Sequence, residues 1–163
     1  MKPIIYIIVL FSLFLNCKAQ EEPINFSAEA LQDVLLTTEN GTITFQDILD
    51  QHKGKTIVID VWASWCGDCL KSIPKVKETQ KKHPNVEFVF LSLDKKVESW
   101  KKGIKKHKIT GNHYYLKSGW KGPLGTFLNL DWIPRYLVVD KNQNITVFYE
   151  KDIQTPKIKN ALL

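Results

Sequence analysis

Trp62-Ala63-Ser64-Trp65-Cys66-Gly67-Asp68-Cys69 closes a run, residues 56–61, that is rich in β-branched side chains and holds no Pro or Gly. Such a run reads as a buried strand. Residues 70–82 have helical composition, with apolar Leu70, Ile73 and Val76 on one side. The two cysteines therefore stand where a central strand hands over to a helix. The unpaired amides and positive dipole end of a helix start stabilise an anion. A thiolate at Cys66 would be that anion, and its pKa would be lowered. Two intervening residues put Cys69 one turn further on, able to attack a disulfide formed at Cys66. This is the spacing of a redox pair.

The chain around this stretch has 163 residues, 44% hydrophobic and 25% charged, which is a globular composition and one domain's worth of sequence. Five tryptophans and eight phenylalanines exclude a disordered chain. Cysteines number three, with no second Cys-x-x-Cys and no Cys-rich spacing, so neither a zinc ribbon nor a disulfide framework is supported. The histidines at 52, 83, 107 and 113 are scattered and adjoin neither member of the pair, so a Cys–His catalytic pair has no support. The formal charge is +6, with lysines at 101, 102, 105, 106 and 108. Without aromatic residues interleaved among them, they read as a solvated helix face, and no nucleic-acid partner is expected.

The third cysteine belongs to the N-terminal segment. Met1-Lys2 is basic, and residues 3–15 are apolar but for Ser12. That is shorter than the roughly 20 residues of a membrane span and matches the apolar core of a signal peptide. The run ends Leu13-Phe14-Leu15-Asn16-Cys17, which resembles a bacterial lipobox, although Asn16 departs from its usual small residue. Residues 1–17 are expected to be signal peptide and lipobox with Cys17 lipidated. The polar, acidic residues 18–26 are expected to be a tether, and 27–163 the folded domain.

Along that domain, residues 34–36 and 42–45 predict a β-hairpin around Asn40-Gly41, followed by a short helix over 46–52 that stops at Gly54. Residues 86–93 form a second apolar strand, of the kind found mid-sheet with both faces covered. Asp94 is expected to start a helix with Val97, Trp100 and Ile104 inward. A short strand over 114–116, a glycine-rich loop over 119–125 and a short helix over 124–130 follow. The loop lacks the spacing of a phosphate-binding turn. Strands over 136–140 and 145–150 make a last hairpin, and Thr155-Pro156 opens a terminal helix with Pro in its first turn.

The chain resembles the thioredoxin superfamily. Asp60-Val61-Trp62-Ala63-Ser64-Trp65-Cys66-Gly67-Asp68-Cys69 matches that family's strand aspartate, tryptophans and dicysteine in order, and Pro74 matches its helix proline. Ile133-Pro134-Arg135 is similar to its cis-proline segment. The hairpin-and-helix lead-in, together with the long stretch between Cys66 and Pro134, resembles the membrane-tethered TlpA/ResA branch. The resemblance implies an α/β thioredoxin-like fold: a central mixed β-sheet flanked by helices, an N-terminal β-hairpin extension and an insertion before the cis-proline.

It also implies roles. Cys66 would be the nucleophile, Cys69 the resolving thiol and Asp60 a buried base with a raised pKa. A cis Pro134 would present Ile133 for strand-like pairing with substrate. Trp65, Gly67, Asp68, Ile133 and Arg135 would form the substrate-binding rim. Asp68 stands where the family usually has proline, and a carboxylate there opposes thiolate formation, which points to a reductant. No cofactor and no metal are expected. The implied partners are a protein disulfide substrate and an upstream membrane electron donor. The protein would be a monomer held in the cell envelope, facing the periplasm on a lipid anchor. Three alternatives remain open. A copper module of the Sco type usually has one more residue between its cysteines. A thiol peroxidase would need Thr or Ser where Ala63 stands. The third is a redox-inert binding lipoprotein.

Overall fold

The computed structural model describes residues 22–163. The expectations for residues 1–17, for Cys17 and for the first part of the tether lie outside the described residues. In chain order the elements are α1 (Ala28–Leu31), β1 (Val34–Thr37), β2 (Thr42–Thr44), α2 (Phe45–Gln51), β3 (Ile57–Trp62), α3 (Gly67–Lys82) and β4 (Glu87–Ser92). There follow α4 (Val97–His107), β5 (Asn112–Tyr115), a 3-10 turn (Gly119–Lys121), α5 (Pro123–Phe127), β6 (Arg135–Val139), β7 (Ile145–Glu150) and α6 (Pro156–Ala161).

One mixed sheet holds all seven strands in the order β2-β1-β5-β4-β3-β6-β7. β3 is buried along its whole length, which is why it carries Ile57, Val58, Ile59 and Val61. It runs parallel to β4 through the crossover helix α3 and antiparallel to β6. Asp60 is thereby registered against Phe90 on one side and Tyr136 on the other. This is the expected thioredoxin-like fold.

The N-terminal hairpin joins the sheet through β1 against β5, and Asn40 takes the positive φ of 68° that its turn requires. The insertion before Pro134 consists of the 3-10 turn and α5, resting on α1. Asp33 joins the two regions: its carboxylate accepts the Ser118 hydroxyl (2.7 Å) and the Leu124 amide (3.0 Å). It caps α5 from outside the helix, whose own N-cap, Gly122, has no side chain.

Three expectations are corrected, and one helix is added. Residues 119–125 are not one loop but a 3-10 turn and the first turn of α5. Gly125 lets them pack, since a Cβ there would collide with the Gly119 carbonyl oxygen. Asp94 does not open α4, which begins at Val97 after Lys96; it turns inward instead. The helix α1, capped by Ser27, was not expected. Finally, chain assigned to the tether reaches the domain before residue 27. Ile24 accepts the Ile145 amide (2.8 Å), and Phe26 packs against Phe45 and Phe127 at 4.9 and 5.3 Å between ring centres. On α4, Trp100 and Gly103 face the core while Lys102, Lys105, Lys106 and Lys108 are exposed, as the pattern predicts.

Candidate active site

Cys66 ends the β3 loop and serves as the N-cap of α3. Cys66 and Cys69 form a disulfide. The Cys69 amide donates to Cys66 Sγ at 3.1 Å, so a helix-start N–H is aimed at the atom that would carry thiolate charge. The Ile133–Pro134 peptide bond is cis, and the Ile133 carbonyl oxygen lies 3.6 Å from Cys66 Sγ. Cys66 opens on a cleft of about 340 Å³ walled by Trp65, Trp120, Trp132 and Ile133, with Gly67 and Asp68 along its border. Trp65 is 54% exposed and Trp132 51%, high values for such large apolar groups. Asp68 is half exposed and pairs with Lys71 at 3.2 Å, one turn on.

Cys69 faces the other way, into a narrow crevice between α3 and the sheet that Asp60, Phe90 and Gln80 also line. Asp60 is 5% exposed, and its Oδ1 has no hydrogen-bond partner among the described residues. Burial pushes its carboxyl from the usual range up to about 8. Opposite it on β6, the buried Tyr136 donates its hydroxyl to Ser72 Oγ (2.8 Å), which donates to the Cys69 carbonyl (2.7 Å). Burial first, and Asp60 second, push the Tyr136 hydroxyl upward, so it remains a neutral donor. Asp60 and Cys69 thus line one narrow, low-dielectric crevice, where a carboxyl titrating near neutrality can exchange a proton with a thiol.

The structure brings Cys66, Cys69, Asp60, Trp65, Gly67, Asp68, Ile133 and Pro134 together. Arg135 is the exception. It is wholly buried, not on the substrate rim. Its guanidinium donates to the Leu128 and Asn129 carbonyls (2.6 and 3.2 Å) and to Asp131 (2.9 Å), stacked 3.6 Å from the Tyr149 ring centre. It braces the segment that carries Trp132 and Ile133. The histidines stay apart: His113 stacks on Phe90, and His52 lies 3.8 Å from Glu87. Among the described residues no group of three or more His, Cys, Asp or Glu is placed to hold a metal. A surface hollow of about 670 Å³ near Lys55, Lys82 and Lys141 lies at the opposite end of β3 from the cysteines.

Sequence reasoning missed Trp120 and Trp132 as cleft walls, Tyr136, and a cluster of Ser64, Ser92 and Asp94 behind the dicysteine loop. For Trp132 there was a signal, a tryptophan two residues before the cis-proline. For Asp94 there was none, because an aspartate after a strand reads equally well as a helix cap.

A family model described as thioredoxin-like matches residues 54–145. A thiol-disulfide oxidoreductase ResA of Bacillus cereus is 27% identical over 101 residues, 61% of this chain and 56% of that protein. Thioredoxin H-type of Fagopyrum esculentum is 43% identical over 58 residues, 36% of this chain and 48% of that one. The chain spans about half the length of these curated relatives. Among solved structures, a protein assigned as a thiol-disulfide oxidoreductase in Bacteroides vulgatus gives a TM-score of 0.66 at 27% identity, covering 79% of this chain and 82% of that one. The thioredoxin domain of another Bacteroides vulgatus thiol-disulfide oxidoreductase gives 0.66 at 19% identity, covering 85% and 96%, a likeness of fold alone.

Proposed function

The chain belongs to the thioredoxin-like family, and from that premise we propose that it is a thiol–disulfide oxidoreductase that reduces protein disulfides by exchange at Cys66 and Cys69. In the reduced form the Cys66 thiolate attacks a substrate disulfide. One substrate S–S bond breaks, a mixed disulfide forms at Cys66, and the first substrate sulfur leaves as thiolate. Cys69 gives its proton to the Asp60 carboxylate and attacks Cys66 Sγ. The second substrate sulfur leaves, and two electrons have passed to the substrate. The Cys66–Cys69 disulfide that remains is re-reduced by an upstream dithiol. The observation that carries this reading is Cys66 Sγ at the α3 N-cap, 3.1 Å from the Cys69 amide.

The match to a thiol-disulfide oxidoreductase supports the exchange chemistry. The apolar run before Cys17 supports a protein exported to the cell envelope and held there by lipid on Cys17. Among the described residues no helix is long and apolar enough to cross a membrane. A monomer in that place, fed by a membrane electron donor, would act on disulfides of extracytoplasmic proteins, with the haem-attachment cysteines of cytochrome c apoproteins within its range.

The test is the reduction potential of Cys66–Cys69, equilibrated against thiol/disulfide buffers. A value near about −270 mV supports a reductant. One near about −120 mV makes the protein an oxidant and overturns the direction proposed. Absence of a reversible two-electron couple overturns exchange altogether.

A further inference from the structure

Asp94 is a buried carboxylate that the exchange reaction leaves unused. It is 5% exposed. Its Oδ2 accepts the Ser64 amide (3.0 Å) and the Ser92 hydroxyl (2.8 Å), and its Oδ1 accepts the Ser64 hydroxyl (2.6 Å). The Asp94 amide in turn donates to Ser92 Oγ at 3.0 Å. Ser64 lies on the turn over residues 63–66, which the Cys66 amide closes by donating to the Ala63 carbonyl at 3.1 Å. Just before the turn, the Trp62 carbonyl accepts the Leu93 amide at 2.8 Å. The loop after β3 is thus tied to the loop after β4 through both backbone and side chain. Helix α4 bears on the same residue, since a Cβ on Gly103 would come within 2.5 Å of Ser64 Cβ.

Placing a carboxylate here costs solvation that an asparagine of the same size would not. What the carboxylate adds is acceptance without donation: two oxygens take three donors, and no N–H of its own competes. Ser64 is therefore held by its amide and its hydroxyl at once. Two residues on stands Cys66, whose sulfur must stay within hydrogen-bond reach of the Cys69 amide to be held as thiolate.

We propose that Asp94 is a positioning residue for Cys66: by gripping Ser64 it fixes the 63–66 turn so that the sulfur sits at the N-cap of α3. This deepens the exchange reading, on which it rests for the use made of the thiolate. The same grip sets Trp65, between Ser64 and Cys66, as a wall of the cleft.

The experiment measures alkylation of Cys66 by iodoacetamide at pH 7 in the reduced full chain, resolved from Cys17 and Cys69 by peptide mass spectrometry. Thermal unfolding is followed in parallel. The variants are Asp94→Asn and Ser64→Ala. The control is Asp47→Asn, which weakens the capping box of α2 away from the cysteines. The thiolate is the reacting form, so both test variants should slow Cys66 alkylation roughly fivefold while the control leaves it unchanged. Two other patterns overturn the proposal. If Asp94 acts only through its charge, Asp94→Asn speeds alkylation and Ser64→Ala does nothing. If the cluster only staples the fold, both variants lower the melting temperature and neither changes the rate. Should Asp94→Asn fail to fold, Ser64→Ala and Gly103→Ala decide alone, with the same slowing expected. Alkylation needs no protein substrate, so a wild-type chain without exchange activity would remove the functional reading and leave this test in force.

Discussion

Arg135 Nη1 donates to the carbonyl oxygen of Leu128 at 2.6 Å, out of reach of solvent. With its bonds to Asn129 and Asp131 and its stacking on Tyr149, the guanidinium gathers one side of the cleft onto β6. Removing it strands two carbonyls. Arg135→Met should cost on the order of 3 kcal/mol in urea unfolding. Arg135→Lys should recover little, because a compact ammonium cannot span the same fork of acceptors. Unchanged stability in either variant would remove the bracing role.

Asp33→Ala should cost on the order of 2 kcal/mol, since it leaves the Leu124 amide and Ser118 hydroxyl without their acceptor. Asp33→Asn keeps one acceptor oxygen and should lose less. An Asp33→Ala variant as stable as the wild type would show that the carboxylate is not the cap of α5.

The strands around the dicysteine were legible because their burial is written locally: Ile57, Val58 and Ile59 for β3, the aromatic-aliphatic run for β4, Asn40-Gly41 for the first hairpin. Cys66 and Cys69 were legible because helix start and strand end determine their neighbours directly, and Asp60 was legible through the resemblance to the thioredoxin superfamily. Illegible were the partners supplied from far along the chain. Nothing near Arg135 announces that it points inward to Leu128, nothing near Asp94 names Ser64, and nothing near Asp33 names Leu124. Each is a charged residue whose solitary reading is surface, and each is drawn inside by backbone groups that only the tertiary fold brings close.

Asp60 has a pH signature. Its folded carboxyl titrates near about 8, against about 3.9 in an unfolded chain. Between those values the native state keeps a proton that the unfolded state has released, so its contribution to stability falls as pH rises and levels off above pH about 8. Asp60→Asn lacks this loss. The oxidised variant should therefore be the more stable, by a margin that grows from pH 5 to pH 8 and reaches on the order of a few kcal/mol. Urea unfolding of both proteins at the two pH values checks it. A margin independent of pH would mean that Asp60 does not titrate in this window.

Cys69→Ala removes the thiol that resolves the mixed disulfide. Incubated with a protein disulfide, the reduced variant should accumulate a covalent adduct through Cys66 that dithiothreitol releases. Cys66→Ala should accumulate none, because Cys69 faces the interior crevice and not the cleft. An adduct through Cys69 of comparable yield would reverse the roles assigned to the two thiols.

Trp132 stands half exposed two residues before the cis-proline and lines the Cys66 cleft together with Trp65, with the Lys151 ammonium 5.9 Å from its ring centre. A large apolar ring left in water at the reacting atom gains its free energy only when a substrate covers it. It does not touch the Cys66–Cys69 couple through charge, and the α3 N-cap is formed without it. Its removal should therefore weaken substrate binding and spare the chemistry. Trp132→Ala should raise KM for a protein disulfide roughly tenfold while kcat changes little and the reduction potential stays the same. A small polar disulfide such as oxidised glutathione, which would bury little of the Trp132 ring, should be reduced at close to the wild-type rate. If the potential shifts as well, Trp132 acts on the sulfur itself. If KM is unchanged, the cleft is not where the substrate lies.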